Sequence, residues 1–304
     1  MPTPYSPRRR STSRFVELRG LNHHLNVWGD ASMVSPQRPP LLLMHGWMDV
    51  GASFQFTVDA LAHERYVVAA DWRGFGLSDN SGADSYWFHD YLGDLDALID
   101  RLSPDAPLDL VGHSMGGNIV MTYGGVRPER IRRLVNLEGF GMPQTTPEMV
   151  PKRLAQWLDE LKAPQTLRHY ASLDEVAARL MKTNPRLGAD KAAWLASHWS
   201  RRADDGKWHI LGDAAHKRIN PVLTRAEDVM ATWRRISAPL LWVQGDGGEF
   251  ETWWSGRYSR EQFEERLAVV PKLQRLALRD AGHMLHHDQP EALAMALEDF
   301  LDAA

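Results

Sequence analysis

The chain has 304 residues, 43% of them hydrophobic and 24% charged, with a formal net charge of -4. It is long enough for one large α/β domain or two small ones, and so mild an acidic balance gives no support for nucleic-acid or anionic-membrane binding. With no cysteine, disulfides, thiolate zinc sites and a cysteine nucleophile are excluded, and a reducing compartment, the cytoplasm, is the expected location.

Residues 1–13 read as a flexible tail. Arg8, Arg9 and Arg10 lie there, but no apolar stretch follows them, so no export signal is expected. "RFVELRGLNHHLNVWGD" reads as an antiparallel hairpin turning near Gly20. "PLLLMHG", "YVVAAD", "LDLVGHS" and "RRLVNLEG" follow, each an apolar run of strand length that ends in Gly, Asp, Ser or Glu. Helix-length stretches separate them, the pattern of a mostly parallel sheet with helices on both faces. From 142 to 237 the sequence turns helical, with Thr146-Pro147, Ser172-x-x-Glu175 and Thr224-x-x-Glu227 as start signals. That block reads as a cap inserted into a core domain of residues 14–141 and 238–304. It carries Trp157, Trp194, Trp199, Trp208 and Trp233, some of which should face the core across a cleft. The last strands, "APLLWVQGD" and "LQRLALRDAGH", come only after it.

"LDLVGHSMGGNIVMTYGGV" places Gly112-His113-Ser114-Met115-Gly116 between an apolar strand and a helix-length run. This is the strand–turn–helix setting of a G-x-S-x-G nucleophile turn, where the glycines permit a backbone approach too close for side chains and the serine projects from the strand end. A serine hydroxyl needs a base and two donors for the oxyanion. "HGW" after the third strand offers the backbone N–H of Trp47 to pair with that of Met115, while His45 is expected to brace the loop. The base is expected late in the chain, at His283 in "AGHMLHHDQPE". His286, His287 and Asp288 beside it read as a loop-to-helix junction rather than a metal site, with Asp288 placed to cap the following helix.

On "HGWMD", "DWRGFGLSD", "GHSMGG" and "GHMLHHDQPE", in that order and at those intervals, the chain resembles the α/β-hydrolase superfamily from about Arg14 onward. In its cap segment it is similar to proteins called serine hydrolase-like. The resemblance implies an α/β-hydrolase fold with a mostly parallel eight-stranded sheet and a helical cap, and a triad in the order Ser, acid, His. The superfamily's acid usually follows the strand "APLLWVQG", three residues after its glycine, but "GDGGEF" puts Gly248 there. Asp246 and Glu249 flank the vacancy and are alternative acids. Some relatives instead carry a Glu at the end of the strand after the nucleophile helix, and "LVNLEG" puts Glu138 at that place. The implied chemistry is a serine hydrolase, a carboxylesterase acting through an acyl-enzyme on Ser114. The expected substrate is an apolar small-molecule ester or lactone, with no cofactor, no metal, and neither nucleic acid nor membrane as partner. Acyl transfer, C–C bond hydrolysis and perhydrolysis on the same residues remain open, as does a non-catalytic binding protein. Asp71, Arg73 and Asp79 are expected to hold the loop near the cleft.

Overall fold

A computed structural model describes residues 5–247 and 250–303, with backbone alone at 251 and 252. Strands β1 (Thr12–Leu18) and β2 (Leu21–Trp28) form the expected hairpin. Arg19 and Gly20 both have positive φ, 50° and 78°, the conformation of a two-residue turn matched to strand twist. Strands β3 (Leu41–Met44), β4 (Val67–Ala70), β5 (Leu108–His113) and β6 (Ile131–Leu137) follow. Helix α1 (Gln55–Ala60) lies between β3 and β4, α2 (Phe88–Leu102) between β4 and β5, and α3 (Met115–Val126) between β5 and β6.

The next segment holds α4 (Val150–Lys162), strand β7 (His169–Tyr170), α5 (Leu173–Thr183) and α6 (Ala189–Trp199). Strands β8 (Ser200–Arg202) and β9 (Trp208–Ile210) and helix α7 (Ala226–Trp233) complete it. The chain ends with β10 (Leu240–Gly245), α8 (Phe250–Trp254), α9 (Arg260–Leu267), β11 (Leu273–Leu278), α10 (Leu285–Asp288) and α11 (Pro290–Leu301). The main sheet has eight strands in the order β1-β2-β4-β3-β5-β6-β10-β11, with only the pairings of β2 antiparallel.

Side chains of the central strands alternate between two cores. Leu42 and Met44 pack with Leu95, Ile119, Tyr123 and Phe263 on one face. Leu41 and Leu43 pack with Phe54, Val58, Leu293 and Leu297 on the other. Burial on both faces is why β3, β4 and β5 read as unbroken apolar runs. No helix among the described residues is long and apolar enough to cross a membrane.

The structure corrects three expectations. Residues 5–11 are not a flexible tail. The Asp59 carboxylate accepts hydrogen bonds from Tyr5 Oη (2.6 Å) and from the backbone N–H groups of Arg8 (2.9 Å) and Arg9 (2.7 Å). The Arg9 guanidinium donates to the carbonyls of Val58 and Leu61 at the end of α1.

The segment 142–237 is also not purely helical, because β7, β9 and β8 form a three-stranded antiparallel sheet. Strands of two or three residues leave no periodicity to read. Its last helix, α7, packs on α3, with Trp233 buried in the main core rather than in a cap.

The helix starts differ as well. Ser172 Oγ accepts from Glu175 N–H as expected, with the Glu175 carboxylate reaching back to Ala171 N–H. Thr224 caps nothing: α7 starts at Ala226, whose N–H is held by Gln144 Oε1 at 2.7 Å. Thr146 does stand at the N-cap with Pro147 opening the turn Pro147–Met149 as expected, although its side chain makes no capping bond.

His216, from the segment 142–237, is seated deep against the residues between β4 and α2. The His216 ring is sandwiched between Phe75 and Tyr86, with centroids 3.8 and 3.7 Å away. Its Nε2 lies 3.2 Å from the Gly74 carbonyl, which can only accept, so Nε2 carries the proton and Nδ1 accepts from the Tyr91 hydroxyl at 2.9 Å. Burial lowers its pKa to about 4, against the opposing pull of Asp213. Because the folded value lies below the roughly 6.5 of an unfolded histidine, this latch contributes its full stability above about pH 6.5 and loses it as pH falls toward 4. Urea midpoints measured across that window should decline, and His216→Gln should flatten the decline. An equally steep slope in the variant would assign it elsewhere.

Candidate active site

The turn from β5 into α3 is sharp enough to force Ser114 to φ 52° and ψ -113°, a region that costs a non-glycine residue about 1–3 kcal/mol. The Ser114 N–H is tied to the Leu137 carbonyl at 2.8 Å. The neighbouring glycines are steric necessities. A Cβ on Gly112 would sit 2.4 Å from the Gly116 carbonyl oxygen, and one on Gly116 would sit 2.4 Å from that of Met44.

Met115 opens α3, so its N–H points from a helix N-terminus. Neither that N–H nor that of Trp47 has a backbone or side-chain acceptor among the described residues. Trp47 sits in the turn after β3, where the next residue, Met48, has φ 56°. His45 braces this loop. It is fully buried, its Nδ1–H donates to the Gly46 carbonyl at 2.7 Å, and its Nε2 accepts from Trp72 N–H at 3.0 Å. Burial lowers its pKa and keeps it neutral.

His283 lies on the loop between β11 and α10. Its Nδ1 is 3.4 Å from Glu138 Oε2, and its carbonyl accepts from His113 Nε2 at 2.8 Å. Asp288, expected to cap α11, instead accepts from the N–H of Gly282 (2.8 Å) and from Asn184 Nδ2 (2.7 Å). It therefore holds the residue before His283, and Gln289 occupies the helix N-cap position.

Glu138 follows β6 with φ 56° and is 7% exposed. Its Oε1 accepts from Gly245 N–H at 2.7 Å, which fixes the carboxylate and leaves Oε2 toward the imidazole. Asn136 clamps the turn behind it, accepting from Gly139 N–H and donating to the Gly139 carbonyl. Of the alternative acids, Asp246 is exposed and makes no hydrogen bond to His283, and Glu249 and Gly248 lie outside the described residues. Among the described residues Ser114 Oγ makes no hydrogen bond. Hydrogen bonds of a catalytic serine are often open at unliganded sites.

The loop acids behave as expected of scaffolding. Asp71 accepts from Gly51 N–H and Leu77 N–H, Asp79 accepts from Asn22 N–H, and Arg73 forms a two-pronged pair with Asp94. Two tryptophans of the segment 142–237 bond to residues before it: Trp157 donates to Ser85 Oγ and Trp199 to Asp49 Oδ1, both at 3.1 Å. Trp253 is not among the expected site residues, yet its ring meets His283 edge-on with centroids 4.2 Å apart. Its only local signal is the aromatic pair in "FETWW" after the strand.

The profile of the α/β hydrolase fold family matches residues 39–290, and the chain belongs to that family. Its similarity to a serine hydrolase-like protein of Danio rerio runs along nearly the whole chain, at 24% identity over 96% of this chain and 89% of that one. A 2-(acetamidomethylene)succinate hydrolase of Mesorhizobium japonicum is 25% identical, over 87% of this chain and 88% of its own. Among solved structures, a thioesterase domain from the curacin biosynthetic pathway superimposes with a TM-score of 0.80 and 26% identity, covering 94% of this chain and 98% of the other.

Proposed function

We propose that this hydrolase-family protein is a serine carboxylesterase that cleaves a modestly apolar ester or lactone through an acyl-enzyme on Ser114. The observation that carries the reading is the Glu138 carboxylate, anchored by Gly245 and 3.4 Å from His283 Nδ1. With Nδ1 turned to the acid, Nε2 is the nitrogen left to take the serine proton.

Ser114 Oγ attacks the acyl carbon and its proton passes to His283 Nε2. Glu138 steadies the imidazolium, and the N–H groups of Trp47 and Met115 receive the oxyanion. Collapse breaks the acyl–oxygen bond, and the alcohol leaves with the proton from His283. Water then repeats the sequence on the acyl-enzyme and releases the acid. The substrate class rests on the half-exposed indoles of Trp47 and Trp253 at this site, 52% and 38% exposed. In this reading the segment from 142 to the start of α7 is the lid over the substrate, no cofactor enters the reaction, and the cysteine-free chain acts in the cytoplasm.

A fluorophosphonate probe tests the assignment. It should label the wild-type protein on the peptide that contains Ser114 and should leave Ser114→Ala unlabelled. Failure to label the wild type would sink the proposal.

A further inference from the structure

Beside the nucleophile turn lies a set of buried polar atoms that the esterase mechanism does not use. Asp49, His113 and His286 are 3%, 1% and 0% exposed. Asp49 Oδ2, His113 Nδ1, and both ring nitrogens of His286 have no hydrogen-bond partner among the described residues. Leaving even one such atom bare normally costs about 1–3 kcal/mol. Asp49 Oδ2 and His286 Nε2 face each other as an ion pair at 3.6 Å, too long for a good hydrogen bond, and His113 Nδ1 and His286 Nδ1 have no hydrogen-bond partner among the described residues, so the set calls for a common one.

We propose that Asp49 Oδ2, His113 Nδ1 and one ring nitrogen of His286 form a buried site for a single transition-metal ion of the Zn2+ or Co2+ type. One carboxylate oxygen and two imidazole nitrogens are the donor set such ions take, with a fourth position left for water. The three residues can each bring one ligand atom so that all lie within 4.8 Å of one another, and His286 Nε2 is already 3.6 Å from Asp49 Oδ2. Ligand bonds of about 2.0–2.1 Å put tetrahedral donors roughly 3.3 Å apart. Side-chain rotation of about an ångström closes the set.

The surroundings of these atoms are those of ligands rather than of misplaced polar groups. His113 donates its Nε2–H to the His283 carbonyl, which fixes the tautomer and leaves the Nδ1 lone pair bare. Burial, with His286 and His283 close by, holds His113 well below the ordinary histidine range and so in its neutral, metal-binding form. The other oxygen of Asp49 is held by Val50 N–H, Ser53 Oγ and the indole of Trp199. The His286 ring stacks on Phe54. For Asp49 and His113 the outer contacts are satisfied and the inner atoms are free, the division expected around a bound ion, while His286 is held by ring stacking with neither nitrogen hydrogen-bonded.

The three residues come from the loop after β3, the nucleophile turn and α10. Trp47 lies in the first of these, Ser114 in the second, and His283 in the loop that leads into α10. An ion here would cross-link them without touching the substrate. It would act on the geometry of the site and on stability, not as a reactant.

The test uses full-length protein stripped of metal with chelator. Zn2+ titration with a competing dye, and Co2+ titration read by visible absorption, should give one ion per chain, a spectrum of a low-coordinate nitrogen and oxygen site, and a raised Tm. His286→Gln and Asp49→Asn, each checked for folding by circular dichroism, should weaken binding at least about a hundredfold. If one fails to fold, the other and the wild-type spectrum still decide. No uptake by the wild type overturns the site. So does uptake that survives both substitutions and disappears in His209→Ala. That result would place the ion on the exposed trio His169, Asp205 and His209 between β7 and β9. All these readouts measure binding, so they stand apart from the outcome of the fluorophosphonate experiment.

Discussion

Replacing Ser114 with alanine should lower kcat for a p-nitrophenyl ester by at least about a thousandfold while leaving Tm nearly unchanged. The two halves of this expectation have separate causes. Loss of the hydroxyl removes the attacking atom, and what remains is the smaller contribution of the oxyanion donors and of binding. Stability should be spared because Ser114 Oγ makes no hydrogen bond among the described residues, and alanine meets the same φ of 52° at a cost similar to serine's. KM should change little, since the oxyanion donors are backbone groups that the substitution leaves in place. A kcat within tenfold of wild type, with folding intact, would show that another residue forms the covalent intermediate.

The elements that could be read from the sequence are those whose physics is local. Strands β3 to β6 bury both faces, so each is a short apolar run with a polar or glycine stop; that pattern gives a mostly parallel sheet, and the number of eight strands comes from the family resemblance. The nucleophile turn is legible because Gly112 and Gly116 have no room for a Cβ, which leaves a fixed signature in the chain. Glu138 is legible at a strand end and His283 after the last strand, and the fold brings those two together.

What could not be read depends on contacts between distant segments. Asp59 collects donors from about fifty residues upstream, and His216 is held by rings more than a hundred residues before it. Neither leaves a period or a motif. Asp288 shows the same limit at short range. Its spacing from Pro290 suggested a helix cap, but Gly282 and Asn184 compete successfully for its carboxylate. The trio of Asp49, His113 and His286 spans most of the chain, and only the packing of α10 against the loop after β3 makes it a cluster.

Glu138→Gln and Asp246→Ala should separate by orders of magnitude. The glutamine keeps the size of Glu138, and its carbonyl oxygen can still accept from Gly245 N–H, so the local fold should persist. What is lost is the negative charge beside His283 Nδ1 and an acceptor that enforces the reactive tautomer. In a serine–histidine mechanism the charge matters most when the imidazole becomes an imidazolium, so the loss should fall on kcat rather than on KM. A fall of roughly 10³ to 10⁴ is the scale for an orienting carboxylate replaced by its amide. Asp246 is exposed and points no hydrogen bond at His283, so its removal should alter kcat by no more than a few fold. A Glu138→Gln enzyme within tenfold of wild type, beside an Asp246→Ala enzyme that is nearly inactive, would move the acid back to the loop after β10. It would also reduce the contact between Glu138 and His283 to a packing interaction.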